Sequence, residues 1–193
     1  MIYIRSQARG FTLIEMMITL VIAAVLAMVA VPGLTAYKRN AELTSAINTL
    51  LSAVNAARSE AMKRGMKAMV IPADGRSWNK GWIVFVDKNG DQAYSEANDI
   101  TILTQGPLES YFTIATTGSA SLSAPYILFD SSGYSKLTNG GFSALTLSVR
   151  RNDLSGSAIY EQTRRLVIAK TGRARTCKPA AANDPACLSN GTQ

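Results

Sequence analysis

Histidine is absent from this sequence of 193 residues. A Ser-His-Asp triad, a Cys-His dyad and most zinc sites depend on that residue. The sequence therefore predicts no catalytic residue, no metal site and no cofactor, and we do not expect an enzyme. The segment DKNGD at 87–91 carries side-chain oxygens at alternating positions, as calcium loops do. Its glycine stands fourth, whereas an EF-hand requires glycine at the sixth position, so we expect a hairpin turn there.

Cysteine is nearly absent as well, since the chain has only Cys177 and Cys187. They lie in a segment rich in proline, alanine and asparagine, without metal-ligating neighbours. This arrangement favours a small disulfide loop in an oxidising compartment. Two free thiols are the alternative.

Acidic residues are scarce in two places, and this gives the formal net charge of +7. Residues 1–10 contain two arginines and no acid, whereas residues 11–149 contain ten basic and ten acidic residues. Residues 150–178 contain eight basic residues against two acidic ones. The positive charge therefore belongs to the extreme N-terminus and to the C-terminal segment.

One long apolar run, from Phe11 to Val31, is interrupted only by Thr12, Glu15 and Thr19. About twenty such residues in a helix match a hydrocarbon core of about 30 Å. The arginines before the run predict a cytoplasmic N-terminus and place everything after residue 33 across the membrane. A cleavable secretory signal would begin similarly, but no small-residue cleavage site followed by a polar break closes this run. We therefore expect a retained membrane anchor.

Glu15 stands inside this apolar run. A carboxylate at the centre of a bilayer costs roughly 2.5–3.5 kcal/mol, and less near an end. One interpretation is that Glu15 reaches the headgroups and water. The other is that it has a fixed cationic partner, supplied when several such helices pack together.

The sequence RGFTLIE at 9–15 resembles the class III signal of type IV pilins and pseudopilins. In that family a prepilin peptidase cuts after the glycine and methylates the new terminal amine. The resemblance implies that residues 1–10 are a cleaved cytoplasmic leader, with Gly10 at the cut and Phe11 as the N-methylated terminus. It also implies that Glu15 aligns with the terminal amine of a neighbouring subunit during assembly.

The predicted anchor covers residues 11–33. The region after it is expected to contain the second half of the helix, followed by strands. Pro32 predicts a kink, and apolar residues at helical spacing continue through 34–65. Residues 66–170 contain seven short runs rich in β-branched and aromatic residues, separated by turn signals, which predict antiparallel strands. The runs cover 67–71, 81–87, 100–104, 111–117, 126–130, 144–151 and 164–170.

ARSEAMKRG (57–65) followed by GWIVFVDKNGD (81–91) resembles the GspH/FimT branch of the pilin family. That resemblance implies an α+β pilin-like fold. A long kinked N-terminal helix would pack on an antiparallel, β-rich globular domain.

Residues 171–193 are predicted to form a basic, disulfide-closed tail, whose cluster of positive charge consists of Lys170, just before it, and Arg173, Arg175 and Lys178. A solvated basic face is one interpretation, and a phosphate-binding site is the other. GRAR at 172–175 resembles the GRxR motif of FimT-type pilins, which contributes to DNA capture during natural transformation. No aromatic residue follows Tyr160, so we expect weak base stacking and salt-sensitive binding led by the backbone, with duplex DNA as a ligand.

Together these features predict a minor type IV pilin that acts in assembly or initiation and binds DNA. The alternative is the H-type minor pseudopilin of a type II secretion system. We expect a single-pass inner-membrane protein with a periplasmic C-terminal domain. Its partners would be other pilin or pseudopilin subunits, the prepilin peptidase and duplex DNA.

Overall fold

A computed structural model describes residues 10–182 and 184–188, without the side chains at 29 and 32. The predicted leader, except for Gly10, lies outside this range. The backbone contacts divide the chain into two units, residues 1–40 and residues 41–193. A single helix, α1 (Leu13–Arg64), begins in the first unit and ends in the second.

The first unit contains the apolar part of α1. Thr12 caps this helix, because its Oγ1 accepts the backbone N–H of Glu15 at 3.2 Å. The apolar side chains described between Leu13 and Tyr37 are all exposed, and this stretch is long and apolar enough to cross a membrane. The helix continues through Pro32 and Gly33, and the kink at Pro32 stays a prediction.

The second unit begins with the amphipathic part of α1. Seven residues at helical spacing are buried: Leu43, Ile47, Leu50, Ala53, Val54, Ala57 and Ala61. The three alanines occupy every fourth position, where small side chains let both sheets approach the helix. Gly65, at φ +67, ends the helix in the left-handed conformation that favours glycine.

Two antiparallel sheets cover this part of the helix, and their strands are numbered in chain order. The first sheet has the order β3-β2-β1-β5-β6, and the second has the order β4-β7-β8-β9. The strands are β1 (Lys67–Pro72), β2 (Trp82–Asp87), β3 (Ile100–Gln105), β4 (Phe112–Thr116), β5 (Ile127–Phe129), β6 (Ser135–Lys136), β7 (Leu145–Arg151), β8 (Thr163–Ile168) and β9 (Ala174–Cys177). A short helix, α2 (Ala158–Glu161), lies between β7 and β8.

One apolar core joins the helix to the inner faces of both sheets. Alternate residues point inward, as with Val84 and Val86 in β2 or Leu145, Leu147 and Val149 in β7. Each fully buried side chain of this size contributes about 1.5–3 kcal/mol. The α+β class and the antiparallel pairing are therefore confirmed.

Two strands lie outside the predicted runs. β6 has only two residues, and β9 falls within the segment interpreted as a tail. β9 pairs with β8 in the register Arg165↔Cys177 and Val167↔Arg175. Residues 174–177 therefore form the edge of the second sheet.

Candidate functional site

The N-terminal candidates lie at the start of α1. Gly10 and Phe11 are exposed, and Phe11 exposes 79% of its surface. Glu15 is the third residue of the helix, where the helix dipole favours a negative charge. Thr12 was not predicted as a functional residue, although T-x-x-E is a helix-capping signature. Its hydrogen bond to the amide of Glu15 fixes where the helix starts.

The basic candidates are arranged around the hairpin between β8 and β9. Residues 170–172 form a three-residue loop, closed by the amide of Gly172, which donates to Ala169 O at 2.8 Å, and by the amide of Ala169, which donates to Arg173 O at 3.0 Å. Gly172 has φ +77, as the last residue of such a loop requires. Arg173 is the first residue after this loop.

The loop carbonyls are held from outside the hairpin. Ser135 N–H donates to Lys170 O at 3.1 Å, and Arg58 Nη2 donates to Thr171 O at 3.3 Å. Arg58 Nε also donates to Gly133 O at 2.9 Å. Arg58 in α1 therefore links the loop of the second sheet to the Gly133 turn of the first sheet.

Arg173 and Arg175 point to the outer face of the second sheet. They alternate along the chain with Ala174, which packs against the core. Together with Val167, Ala169 and Thr171 they line an open cavity of about 250 Å³. Two guanidinium groups that line one cavity suit a phosphate group.

The segment after β9 folds back over the same sheet. Cys177 and Cys187 form a disulfide bond, with their Cα atoms 5.8 Å apart. Arg165 lies buried beneath this segment and donates to Cys187 O, and its Nη2 donates to Ala182 O at 3.4 Å. Burial lowers the pKa of its guanidinium, and its Nε has no acceptor among the described residues.

Asp184 is the only acid between 170 and 188. Its carboxylate accepts the amides of Ala180 and Ala186, each at 2.9 Å. These two hydrogen bonds, the first of them most strongly, lower the pKa of this carboxyl group, to which the charge of Arg165 adds a smaller effect. The carboxylate of Asp184 therefore accepts hydrogen bonds from the segment after β9 rather than from Arg173.

The four predicted basic residues do not share one environment. Lys170, Arg173 and Lys178 are exposed, whereas Arg175 is half-buried and donates to Ala186 O at 3.0 Å. Sequence reasoning missed Arg58 and Arg165, which no local pattern marks. Both arginines donate hydrogen bonds to backbone carbonyls.

In the DKNGD segment, the first acid, Asp87, accepts hydrogen bonds from backbone amides. The two carboxylate oxygens of Asp87 accept the amides of Gly90 and Gln92 at 2.7 and 3.1 Å. β2 and β3 are joined by residues 88–99, a longer connection than a tight hairpin turn. Within the described residues, no three His, Cys, Asp or Glu side chains are grouped to hold a metal ion.

Two sequence families match the chain. The family described as type II transport protein GspH matches residues 46–172, and the prokaryotic N-terminal methylation motif matches residues 5–31. Together the two matches extend from residue 5 to residue 172. No curated protein sequence matches the chain closely enough to count as a relative.

Solved structures of two proteins share this fold. The type IV minor pilin FimU of Pseudomonas aeruginosa is 16% identical, with a TM-score of 0.52 over 75% of this chain and 99% of FimU. The minor pseudopilin EpsH from the type 2 secretion system of Vibrio cholerae is 15% identical, with a TM-score of 0.51 over 72% of this chain and 99% of EpsH. At this identity the likeness concerns the fold.

Proposed function

The chain belongs to the GspH family, and from this premise we propose that it is a minor type IV pilin that also binds DNA. The family consists of pilin-like structural subunits, which assemble with other pilins or pseudopilins. The more specific roles concern the N-terminal helix and the basic hairpin.

The N-terminal segment supports processing and membrane anchoring. The methylation motif covers residues 5–31, and Gly10 and Phe11 are exposed ahead of the helix. We infer that a prepilin peptidase cuts between them and methylates Phe11. The uncovered apolar part of α1 would then anchor the chain in the inner membrane, with its N-terminus cytoplasmic and residues 41–193 periplasmic. In a filament, Glu15 would meet the terminal amine of a neighbouring subunit.

The DNA proposal is carried by one observation, the anchored presentation of Arg173. The three residues before it are held by hydrogen bonds to Ala169, to Ser135 of β6 and to Arg58 of α1, while its own side chain is exposed. Because the backbone of this hairpin is already held, an arginine on it loses freedom only in its side chain when it binds a phosphate. Lys170 and Lys178 add exposed positive charge nearby in sequence, and the carboxylate of Asp184 is hydrogen-bonded to backbone amides rather than to Arg173. This combination suits a polyanion bound through its backbone.

The test is a titration of the full chain, in a neutral detergent, with a fluorescent duplex DNA at several salt concentrations. We expect binding that weakens with salt, and an Arg173→Ala variant with weaker binding and a salt slope smaller by about one. Arg76→Ala is the matched control, because it removes an exposed arginine from a separate turn, between β1 and β2. Equal losses in both variants, or no binding at low salt, would reject the proposed site.

The alternative is a minor pseudopilin of the H type in a type II secretion system. The description of the matching family favours it, and the fold of EpsH is as similar as that of FimU. A deletion strain separates the two roles. Loss of surface pili with secretion intact supports the pilin, and loss of secretion with pili intact supports the pseudopilin.

A further inference from the structure

Two exposed aromatic side chains lie beside the basic hairpin. Tyr134 exposes 43% of its surface and Phe142 exposes 53%, and their ring centroids are 5.7 Å apart in an edge-to-face arrangement. Among the described residues of the second unit, no other aromatic side chain of comparable exposure occurs. The pair therefore forms a small exposed aromatic surface, which we call the Tyr134/Phe142 pair.

Backbone contacts place Tyr134 next to the 170–172 loop. Gly133, just before it, approaches Gly172 so closely that a Cβ on Gly172 would lie 1.8 Å from Gly133 O. Ser135, just after it, donates its amide to Lys170 O at 3.1 Å. Tyr134 is thus bracketed by two contacts with the loop that precedes Arg173.

The charge around the aromatic pair is positive or neutralised. Lys136 Nζ lies 3.6 Å from the centre of the Phe142 ring and 3.8 Å from Asp130 Oδ2. The other oxygen of Asp130 accepts the amides of Ser132 and Tyr134. Asp130 and Lys136 therefore form an ion pair that adds no net charge, with the ammonium of Lys136 over the Phe142 ring.

Resting on the DNA-binding role proposed above, we propose that this surface binds single-stranded DNA, with phosphates at Arg173 and unstacked bases on the Tyr134/Phe142 pair. Exposed aromatic rings next to cations are the usual platform for single strands, because every base has a face that can stack. In a duplex the bases are already stacked and paired, so the rings would remain unused. The stacking surface comes from residues far before Tyr160, where sequence reasoning did not look for it.

The test compares three labelled ligands of equal length with the full chain in neutral detergent: a twelve-residue oligothymidylate, the same strand with abasic sites in place of thymine, and a duplex. The wild-type chain should bind the oligothymidylate about tenfold more tightly than the abasic strand, since stacking contributes roughly 1–3 kcal/mol per base. Tyr134→Leu/Phe142→Leu should remove this difference and leave binding of the abasic strand unchanged. Arg173→Ala should weaken all three ligands.

Leu122→Ala is the matched control, because it alters an exposed apolar side chain elsewhere. Equal binding of the oligothymidylate and the abasic strand by the wild-type chain would overturn the stacking proposal while leaving the Arg173 site standing. No binding of any ligand at low salt would overturn both. If the double variant binds oligothymidylate normally but no longer enters filaments, the aromatic pair is a subunit contact and the proposal is wrong.

Discussion

Gly172 and Gly133 approach each other so closely that no side chain fits between them. A Cβ built on Gly172 would lie 1.8 Å from the carbonyl oxygen of Gly133 and 2.9 Å from Arg58 Nε. The glycine of GRAR, Gly172, is therefore required by packing between the two sheets. Its left-handed backbone, at φ +77, adds a second requirement for glycine.

Gly172→Ala should destabilise the fold more than an alanine at an open glycine of similar conformation. We expect the free energy of unfolding to fall by about 2–5 kcal/mol, because the cost of the strained φ and the cost of the clash add together. Gly75→Ala is the control, since Gly75 has φ +72 with nothing within 4 Å of its Cβ position, and it should lose about 1–2 kcal/mol. Urea unfolding of both variants measures the difference, and equal losses would contradict the packing argument.

Arg58→Ala should loosen the hairpin that presents Arg173. The variant loses the hydrogen bonds to Gly133 O and Thr171 O, so its free energy of unfolding should fall by about 1–3 kcal/mol. Arg64→Ala, which removes an ion pair with Glu60 on the helix surface, should lose less than about 1 kcal/mol. Hydrogen exchange should become faster at the amide of Gly172 only in the Arg58 variant. Unchanged exchange there would mean that the hairpin is held by its own bonds.

Removing the disulfide should release the segment that covers Arg165. Cys177→Ser/Cys187→Ser should lower the free energy of unfolding by about 2–3 kcal/mol, as expected for closing so short a loop. The carbonyls of Ala182 and Cys187 would then leave the buried guanidinium, so the amide of Ala186 should exchange faster. An Arg165→Met variant with the disulfide intact shows how much of the effect comes from the arginine alone. If the tail amides stay protected in the serine variant, the disulfide does not hold the tail.

Features set by local pattern could be read from the sequence. The apolar spacing of α1, the alternation in β7 and the glycine turns all act over a few residues, and the structure contains the elements that they predict. Arg58 contacts carbonyls 75 and 113 residues away, and Arg165 contacts one 22 residues away. These contacts form only in the folded chain, because they depend on how the two sheets and the segment after β9 pack together. β9 was missed for the same reason, because a four-residue strand that contains an arginine is defined by its partner β8.

Glu15→Gln should leave processing intact and prevent incorporation into filaments. The amide keeps the shape of the side chain but removes the charge that would pair with a neighbouring terminal amine. Cleavage after Gly10 should still occur, which a mass measurement of the mature N-terminus detects. Glu96→Gln, at an exposed acid of the β2–β3 connection, should be incorporated normally. Normal incorporation of the Glu15 variant would instead support the interpretation that this carboxylate reaches the headgroups.

In acid, protonation of Asp184 should release the segment after β9 from the second sheet. Hydrogen bonds from the amides of Ala180 and Ala186 hold the pKa of this carboxyl group below its ordinary value. A lowered pKa means that the folded tail favours the ionised acid. Its stabilisation is complete above the ordinary aspartate pKa of about 3.9 and is lost as the pH falls through the lowered value.

Amide exchange at Ala180 and Ala186, followed against pH after correction for the intrinsic rate, measures this release. Asp184→Asn should show faster exchange at both amides at neutral pH and no further acid transition, because an uncharged side chain cannot titrate. Asp74 offers the matched control, since the amides of Ser77 and Arg76 lower the pKa of its carboxyl group in a separate turn. Asp74→Asn should therefore leave the tail transition in place. An acid transition that persists in the Asp184 variant would assign the release to another group, and the carboxylate would then serve only as the cap of the short helix at 185–187.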